Sequence, residues 1–305
     1  MPDLSTQLLS IVIPAYNEQE VLPEFHRRLC EVLDVLPITA EIVYVNDGSQ
    51  DGTLALLHKL HEQDERVAVV DLSRNFGKEI ALSAGLHQAG GDAVIVIDAD
   101  LQDPPELIPE FIKQWQDGFD VVYAQRTRRE GETWLKKSTA SAFYRVMQRV
   151  GHVKLPQDAG DFRLLSRRAV DALNTLGEQH RFMKGLFAWV GFRQKAVPYE
   201  RDARFAGKTK WNYWKLWNFA IEGITSFTIA PLKFATYLGL LTALAAFVFA
   251  IYTIIKTLIF GNPVPGYPSI IVIMLFLGGV QLMAIGVLGE YIGRIFTETK
   301  RRPLY

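Results

Sequence analysis

The chain of 305 residues has one cysteine, Cys30, which leaves no internal disulfide and no cysteine-based metal cluster. Cys30 sits in the helix-like run EFHRRLCEVL and is expected to be a packed, inert thiol. No G-x-G-x-x-G and no G-x-x-x-x-G-K-[ST] stretch occurs, which speaks against a dinucleotide dehydrogenase and a P-loop NTPase. Net charge is lacking as well: 33 Lys and Arg balance 33 Asp and Glu, so a globally basic nucleic-acid binder is not expected. The first residues, MPDLSTQ, have neither the basic stretch nor the apolar stretch of a secretory signal, so the large N-terminal part is expected in the cytosol.

What is present is unevenly distributed. Residues 1–122 carry a net charge of −15, residues 123–215 carry +12, and residues 231–305 carry +4. Between Lys233 and Lys256 lie 22 uncharged residues, and a bilayer core about 30 Å thick needs about 20 apolar helical residues to cross it. After a linker, GNPVPGYP (261–268), which cannot continue a helix, a second apolar stretch runs over 269–289. Two transmembrane helices are therefore expected, over about 234–256 and 269–292, with too little chain around them to bury them as soluble core helices. The linker has no Lys or Arg whereas both flanks are basic, so both termini should be cytoplasmic, at a bacterial-type inner membrane.

Four short Val- and Ile-rich runs, 8–16, 40–47, 66–73 and 92–100, alternate with helix-compatible stretches. Such alternation predicts an α/β domain whose parallel sheet carries helices on both faces and binds its ligand beyond the carboxyl ends of the strands. The residues closing those strands are then the ones to read. In DADLQDPPE (98–106), Asp98 and Asp100 lie two apart at a strand end, with Gln102 two further on. Hard oxygen donors in that arrangement suit Mg²⁺ or Mn²⁺ on a diphosphate, and a solvated acidic turn is the bland alternative.

The ordered set IVIPAYNE, VNDGSQDGT, SRNFGKEIAL, DADLQDPPE and DAGDFRLLSRRAV resembles the inverting nucleotide-sugar glycosyltransferases of the GT-A (Rossmann-like) fold. More narrowly, with RFAGKTKW (204–211) and the tail GEYIGRIFTETKRRPLY, it resembles the polyprenyl-phosphate glycosyltransferases, which include dolichyl-phosphate mannose synthase and bactoprenol glucosyltransferases. That resemblance implies transfer of a hexose from a nucleotide diphosphate sugar, UDP-glucose first and GDP-mannose or another UDP-sugar as alternatives, to a polyprenyl phosphate. It implies nucleotide-sugar contacts at Pro14, Ala15, Tyr16, Glu18, Asp47, Lys78, Asp98 and Ala99, and a metal held by Asp98, Asp100 and Gln102. It further implies roles in the reaction for Asp100 and Asp161, where Asp161 could act as a base or only orient its neighbours; Arg126, in the basic segment expected to meet the lipid phosphate, is read as a third catalytic residue. The acceptor phosphate would meet Arg128, Arg129, Arg163, Arg204, Lys208 and Lys210, since guanidinium groups bind phosphate in bidentate fashion and Lys binds it as a point charge. Strand-end packing for Pro14 and Tyr16, and turn capping for Asp47, stand as the plainer readings.

The resulting organisation is a catalytic domain over 1–205 with a basic amphipathic helix at 133–150, an aromatic-rich interface helix at 206–230, and the hairpin and basic tail at 231–305. A processive polysaccharide synthase is the second enzymatic reading, disfavoured by only two spans and no QxxRW motif; a membrane-tethered scaffold is the non-enzymatic one. Gly278, Gly279, Gly286 and Gly289 could pack within the hairpin or between copies in a homo-oligomer.

Overall fold

The Val- and Ile-rich runs do become strands; those at 8–15, 39–46 and 93–96 are buried on both faces, as expected where helices cover both sides of a sheet, while the edge run at 67–71 is only partly buried. The structure, a computed structural model, describes residues 4–127, 159–179, 181–200, 230–260 and 266–305. The chain divides into two units, Met1–Ala220 with Pro303–Tyr305, and Ile221–Arg302.

In the first unit the order is β1 (Leu8–Ala15), α1 (Leu22–Leu33), β2 (Thr39–Asn46), α2 (Thr53–Gln63), β3 (Val67–Asp71), α3 (Lys78–Gln88) and β4 (Ala93–Val96). Then come α4 (Ile108–Gln116), β5 (Val121–Arg126), β6 (Ala159–Ser166), α5 (Arg167–Asn174), α6 (Met183–Trp189) and β7 (Gln194–Tyr199). The seven strands form one sheet in the order β3-β2-β1-β4-β6-β5-β7. β1 pairs in parallel with β2 and β4, and β2 with β3. The parallel sheet expected from the first four runs is present, and beyond it β6 runs antiparallel to both β4 and β5, so the sheet as a whole is mixed. The motif DAGDFRLLS, read from sequence for Asp161 and Arg163, supplies that reversed strand.

Leu9, Ile11, Val12, Ile13 and all of β4 are sealed from solvent, and α4 closes the same core by setting Phe111 against Phe162 of β6 at a centroid distance of 4.7 Å. Each such buried side chain contributes roughly 1.5–3 kcal/mol. α3 lies tightly on the other side, because a Cβ on Gly85 would fall 2.3 Å from Val12 Cγ1.

The second unit holds two long helices, α7 (Ala230–Phe260) and α8 (Tyr267–Thr299). Both extend past the apolar stretches expected from the sequence, and α8 opens with Pro268 in its first turn, where a missing N–H costs nothing. Each contains a window long and apolar enough to cross a membrane, Pro231–Phe249 and Phe276–Thr299, with none of it buried in protein. A Cβ added at Gly278, Gly279, Gly286 or Gly289 meets nothing within 4 Å, so these glycines are not points of close packing inside the hairpin. The expected interface helices at 133–150 and 206–230 lie outside the described residues, apart from Ala230, the first residue of α7.

Candidate active site

β1 lies between β2 and β4, and the chain crosses to opposite sides of it, so a crevice opens at the carboxyl edge between β1 and β4. The antiparallel register ends with Val96 paired to Arg163, and just beyond the end of that ladder Asp98 and Asp161 both reach the Lys78 ammonium. Sixty-odd residues apart in the chain, these acids meet because β6 runs backward beside β4.

Lys78, the first residue of α3, reaches into this meeting point. Its ammonium donates to Asp98 Oδ2 at 2.7 Å and to Asp161 Oδ2 at 2.5 Å. Burial pulls the Lys78 pKa down, yet Asp161 and Asp98 outweigh that and hold it well above the ordinary lysine value. Burial likewise raises Asp161, but Lys78, Lys184 and Arg163 overcome it and leave the carboxyl below the usual carboxylate range. Asp98 goes the other way: burial, Asp161 and Asp100 push it up against the pull of Lys78.

Asp47 works at the base of this arrangement. Its carboxylate accepts the Phe76 N–H at 2.7 Å and the Gly77 N–H at 3.0 Å, which fixes the loop that delivers Lys78. Burial raises its pKa against those two donors and Arg74. The capping reading of Asp47 therefore holds in a different form: it caps the entrance to α3 rather than its own turn. Gly48 follows with φ +64°, and a Cβ there would sit 2.4 Å from the Arg74 carbonyl carbon, so the second and third loops touch through backbone. The first loop is stitched to the second by Asn17, whose N–H donates to Ser49 Oγ and whose Oδ1 accepts the Gln50 N–H, and by the Glu18 N–H on Thr53 Oγ1. Pro14, Ala15 and Tyr16 lead into that stitch; Ala15 is buried, and its carbonyl accepts the Asp47 N–H at 2.9 Å.

The turn after Asp98 is strained. Ala99 and Leu101 are buried, and Leu101 takes φ +58°, which costs a non-glycine residue roughly 1 kcal/mol or more. Asp100 Oδ1 accepts the Gln102 N–H at 3.1 Å inside this turn. Asp103, 1% exposed, takes a hydrogen bond from the Tyr199 hydroxyl at 2.5 Å, and Arg126 Nε donates to that hydroxyl at 3.4 Å. Arg126 thus backs the acidic turn from β5, and a Cβ on Gly160 would lie 3.4 Å from its guanidinium.

Arg163 departs from its expected place. It is 4% exposed, donates to the Gly160 and Asp161 carbonyls, and lies 3.8 Å over the Phe187 ring. Burial pulls its pKa down to about 10 despite Asp161 and Glu79. It stiffens the start of β6 from within instead of presenting a surface for a lipid phosphate. Arg128, Arg129, Arg204, Lys208 and Lys210 lie outside the described residues.

Two groups escaped the sequence reading. Glu79 accepts the Met183 N–H at 3.1 Å and is pushed up to about 7 by burial and Asp161, against Lys78 and Lys184. Lys184 of α6 adds positive charge near Asp161. Glu79 sits beside Lys78 in its motif, Lys184 lies outside every motif, and nothing in local spacing brings α6 to α3.

The carboxylate donors are of the chemical type that suits a hard divalent cation, though they are not gathered round one point. Asp161 Oδ1 is buried and finds no hydrogen-bond partner among the described residues, and three carboxylates crowd one edge. Asp98, Asp100 and Asp161 do not converge three ligand oxygens within 4.8 Å of one another, and the Lys78 ammonium stands between two of them.

Residues 10–173 match the model for glycosyl transferase family 2, and residues 230–295 match that of the GtrB C-terminal hairpin. An uncharacterized glycosyltransferase of Synechocystis is 56% identical over 97% of this chain and 93% of its own length. The bactoprenol glucosyl transferase of Shigella phage SfV is 50% identical over 97% of each chain. A prophage bactoprenol glucosyl transferase homolog of Escherichia coli is 48% identical over the same shares.

Proposed function

The chain belongs to glycosyl transferase family 2, and on that premise we propose that it transfers a hexose, with UDP-glucose as donor, to the phosphate of an undecaprenyl-type polyprenyl carrier. The observation that carries this reading is the 50% identity to a bactoprenol glucosyl transferase across both the catalytic domain and the hairpin. Full coverage of each chain argues that the two share acceptor chemistry as well as fold.

The anionic groups of the reaction explain the electrostatics of the site. A phosphate monoester with second pKa near 6 is mostly dianionic at neutral pH, so the acceptor needs no strong base. Asp161, held ionised by Lys78 and Lys184, is a weak base and acts by orienting cations around the acceptor phosphate. Lys78 can turn from Asp98 toward the donor diphosphate, where its charge stabilises the departing nucleotide. Asp98, Asp100 and Gln102 would hold Mg²⁺ or Mn²⁺, which when bound supplies Lewis-acid stabilisation of the leaving diphosphate. Pro14, Ala15, Tyr16 and Glu18 would line the nucleotide, with Asp47 keeping the neighbouring loop rigid. Attack from the face opposite the leaving group inverts the anomeric centre.

The basic flanks of the hairpin and its uncharged linker put the catalytic domain and both termini on the cytoplasmic side, where a nucleotide sugar is made and where a basic segment meets anionic lipid. The test is incubation of the purified full-length protein with labelled UDP-glucose, GDP-mannose and other UDP-hexoses in turn, with undecaprenyl phosphate and Mg²⁺ or Mn²⁺. Label from UDP-glucose should enter a mild-acid-labile, solvent-extractable lipid. Absence of a lipid product with every donor, or growth of a polymer, would overturn the proposal.

A further inference from the structure

Outside the acidic cluster, between α1 and the end of α2, three unlike donors converge. His26 and Cys30 stand one turn apart on α1, and Asp64 caps the end of α2. The Cys30 Sγ lies 3.5 Å from His26 Nε2 and 3.8 Å from Asp64 Oδ2, and the three ligand atoms all fall within 4.8 Å of one another. A tetrahedral ion with metal–sulfur bonds of about 2.3 Å and metal–nitrogen or metal–oxygen bonds of about 2.0–2.1 Å has ligand edges of roughly 3.5 Å. The two sulfur separations match those edges with little movement, and His26 Nε2 and Asp64 Oδ2 lie within 4.8 Å of each other.

We propose that His26 Nε2, Cys30 Sγ and Asp64 Oδ2 form a binding site for a Zn²⁺-class divalent ion, separate from the active site, with water in the fourth position. The donor chemistry selects the class: a thiolate and an imidazole favour borderline-soft ions such as Zn²⁺ or Co²⁺ over the Mg²⁺ and Mn²⁺ suited to the oxygen-only edge. An independent feature comes from the far side of the imidazole. His26 Nδ1 is 3.0 Å from the hydroxyl of Tyr44, a fully buried side chain of β2. Donation from Nδ1–H to that oxygen leaves Nε2 unprotonated and aimed at Cys30, the arrangement that orients metal-bound histidines.

Charge balance is met. Thiolate and carboxylate together neutralise a dication, and Arg66 is balanced by Asp34 at 2.7 Å; Arg66 also donates to Asp64 Oδ2 itself, from Nη2 at 2.8 Å and Nε at 3.1 Å, so this oxygen is shared between the guanidinium and the ion. All three ligands are half-buried, so an ion can enter from solvent and keep one water. Bound there, it ties the end of α1 to the turn between α2 and β3. A chain with one thiol cannot build a cysteine cluster, but a mixed site needs only one.

The single cysteine makes the test clean, because a thiolate-to-cobalt charge-transfer band can arise only at Cys30. Full-length protein in detergent, with the thiol confirmed reduced, is titrated with Co²⁺ and read by near-ultraviolet absorption. A saturable band at one equivalent is expected, absent in Cys30→Ser, weakened at least about tenfold in affinity in His26→Gln and in Tyr44→Phe, and unchanged in Asp100→Asn. Zn²⁺ should abolish the band by competition. No band with excess Co²⁺, or a band indifferent to His26→Gln, would overturn the proposal. His26→Gln changes one half-buried side chain, so far-ultraviolet circular dichroism matching the parent separates lost ligation from lost folding.

Discussion

At the scale of single residues, Lys78 is the group on which the site turns. An ammonium 2.7 Å and 2.5 Å from two carboxylates does in the free protein part of what a divalent cation would do if bound there. If the two compete for Asp98, replacing Lys78 by Met should raise Mn²⁺ affinity of the donor-free protein about tenfold, measured by calorimetry, while transfer activity falls. Unchanged or weaker Mn²⁺ binding would place Lys78 outside that competition. Glu79 gives a prediction in pH. Its folded pKa of about 7 lies above the ordinary 4.5, so the protonated form is the one the fold favours. Its stabilising contribution is complete below pH 4.5 and is lost as pH rises through about 7. Glu79→Gln keeps an acceptor for the Met183 N–H and cannot ionise. It should therefore leave stability unchanged near pH 4.5 and raise it above pH 7 by on the order of 2 kcal/mol, seen as a larger gain in Tm at pH 8 than at pH 5. Equal gains at the two pH values would mean that the ionised Glu79 is not strained.

At the scale of elements, the loops after β2 and β4 are held by contacts that can be cut singly. Gly48→Ala would force a Cβ against the Arg74–Asn75 backbone at φ +64°, and should cost more than about 2 kcal/mol in denaturant unfolding and weaken donor binding. Tyr199→Phe would leave buried Asp103 without its hydroxyl donor. A loss of about 1–3 kcal/mol and a raised KM for the nucleotide sugar are expected, whereas an unchanged KM would detach this contact from the acidic turn. The strands β1, β2 and β4 could be read from sequence because residues buried on both faces must be apolar without interruption, and that pattern is local; β3, a partly buried edge strand, shows itself by its valines alone. β6 could not be read in the same way, since its direction is set by pairing across a long chain separation and leaves no periodic mark. For the same reason Asp98 and Asp161 were both legible as acids of interest, while their meeting through Lys78 was not. Arg163 shows the converse failure: an arginine in a polar motif suggested a surface role, and cation–aromatic stacking on Phe187 with two carbonyl acceptors instead permits its burial.

At the scale of the whole molecule, zero net charge conceals an acidic N-terminal stretch, a basic middle and a basic tail, and only the last two flank the apolar helices. Positive charge retained on one side of a bilayer requires the linker between α7 and α8 to face the other side. The scarcity of cysteine turns this into a direct experiment. In a Cys30→Ser background, Asn262→Cys places the sole thiol in the linker, and Ser5→Cys places it near the N-terminus. With a membrane-impermeant maleimide on intact cells, Asn262→Cys should label, and Ser5→Cys should label only after the membrane is opened. Transfer activity in each variant confirms that the labelled molecules are folded. Labelling of Ser5→Cys in intact cells with Asn262→Cys protected would invert the orientation and remove the catalytic domain from its nucleotide-sugar supply. Protection of both before permeabilisation would mean that the two helices do not cross the bilayer.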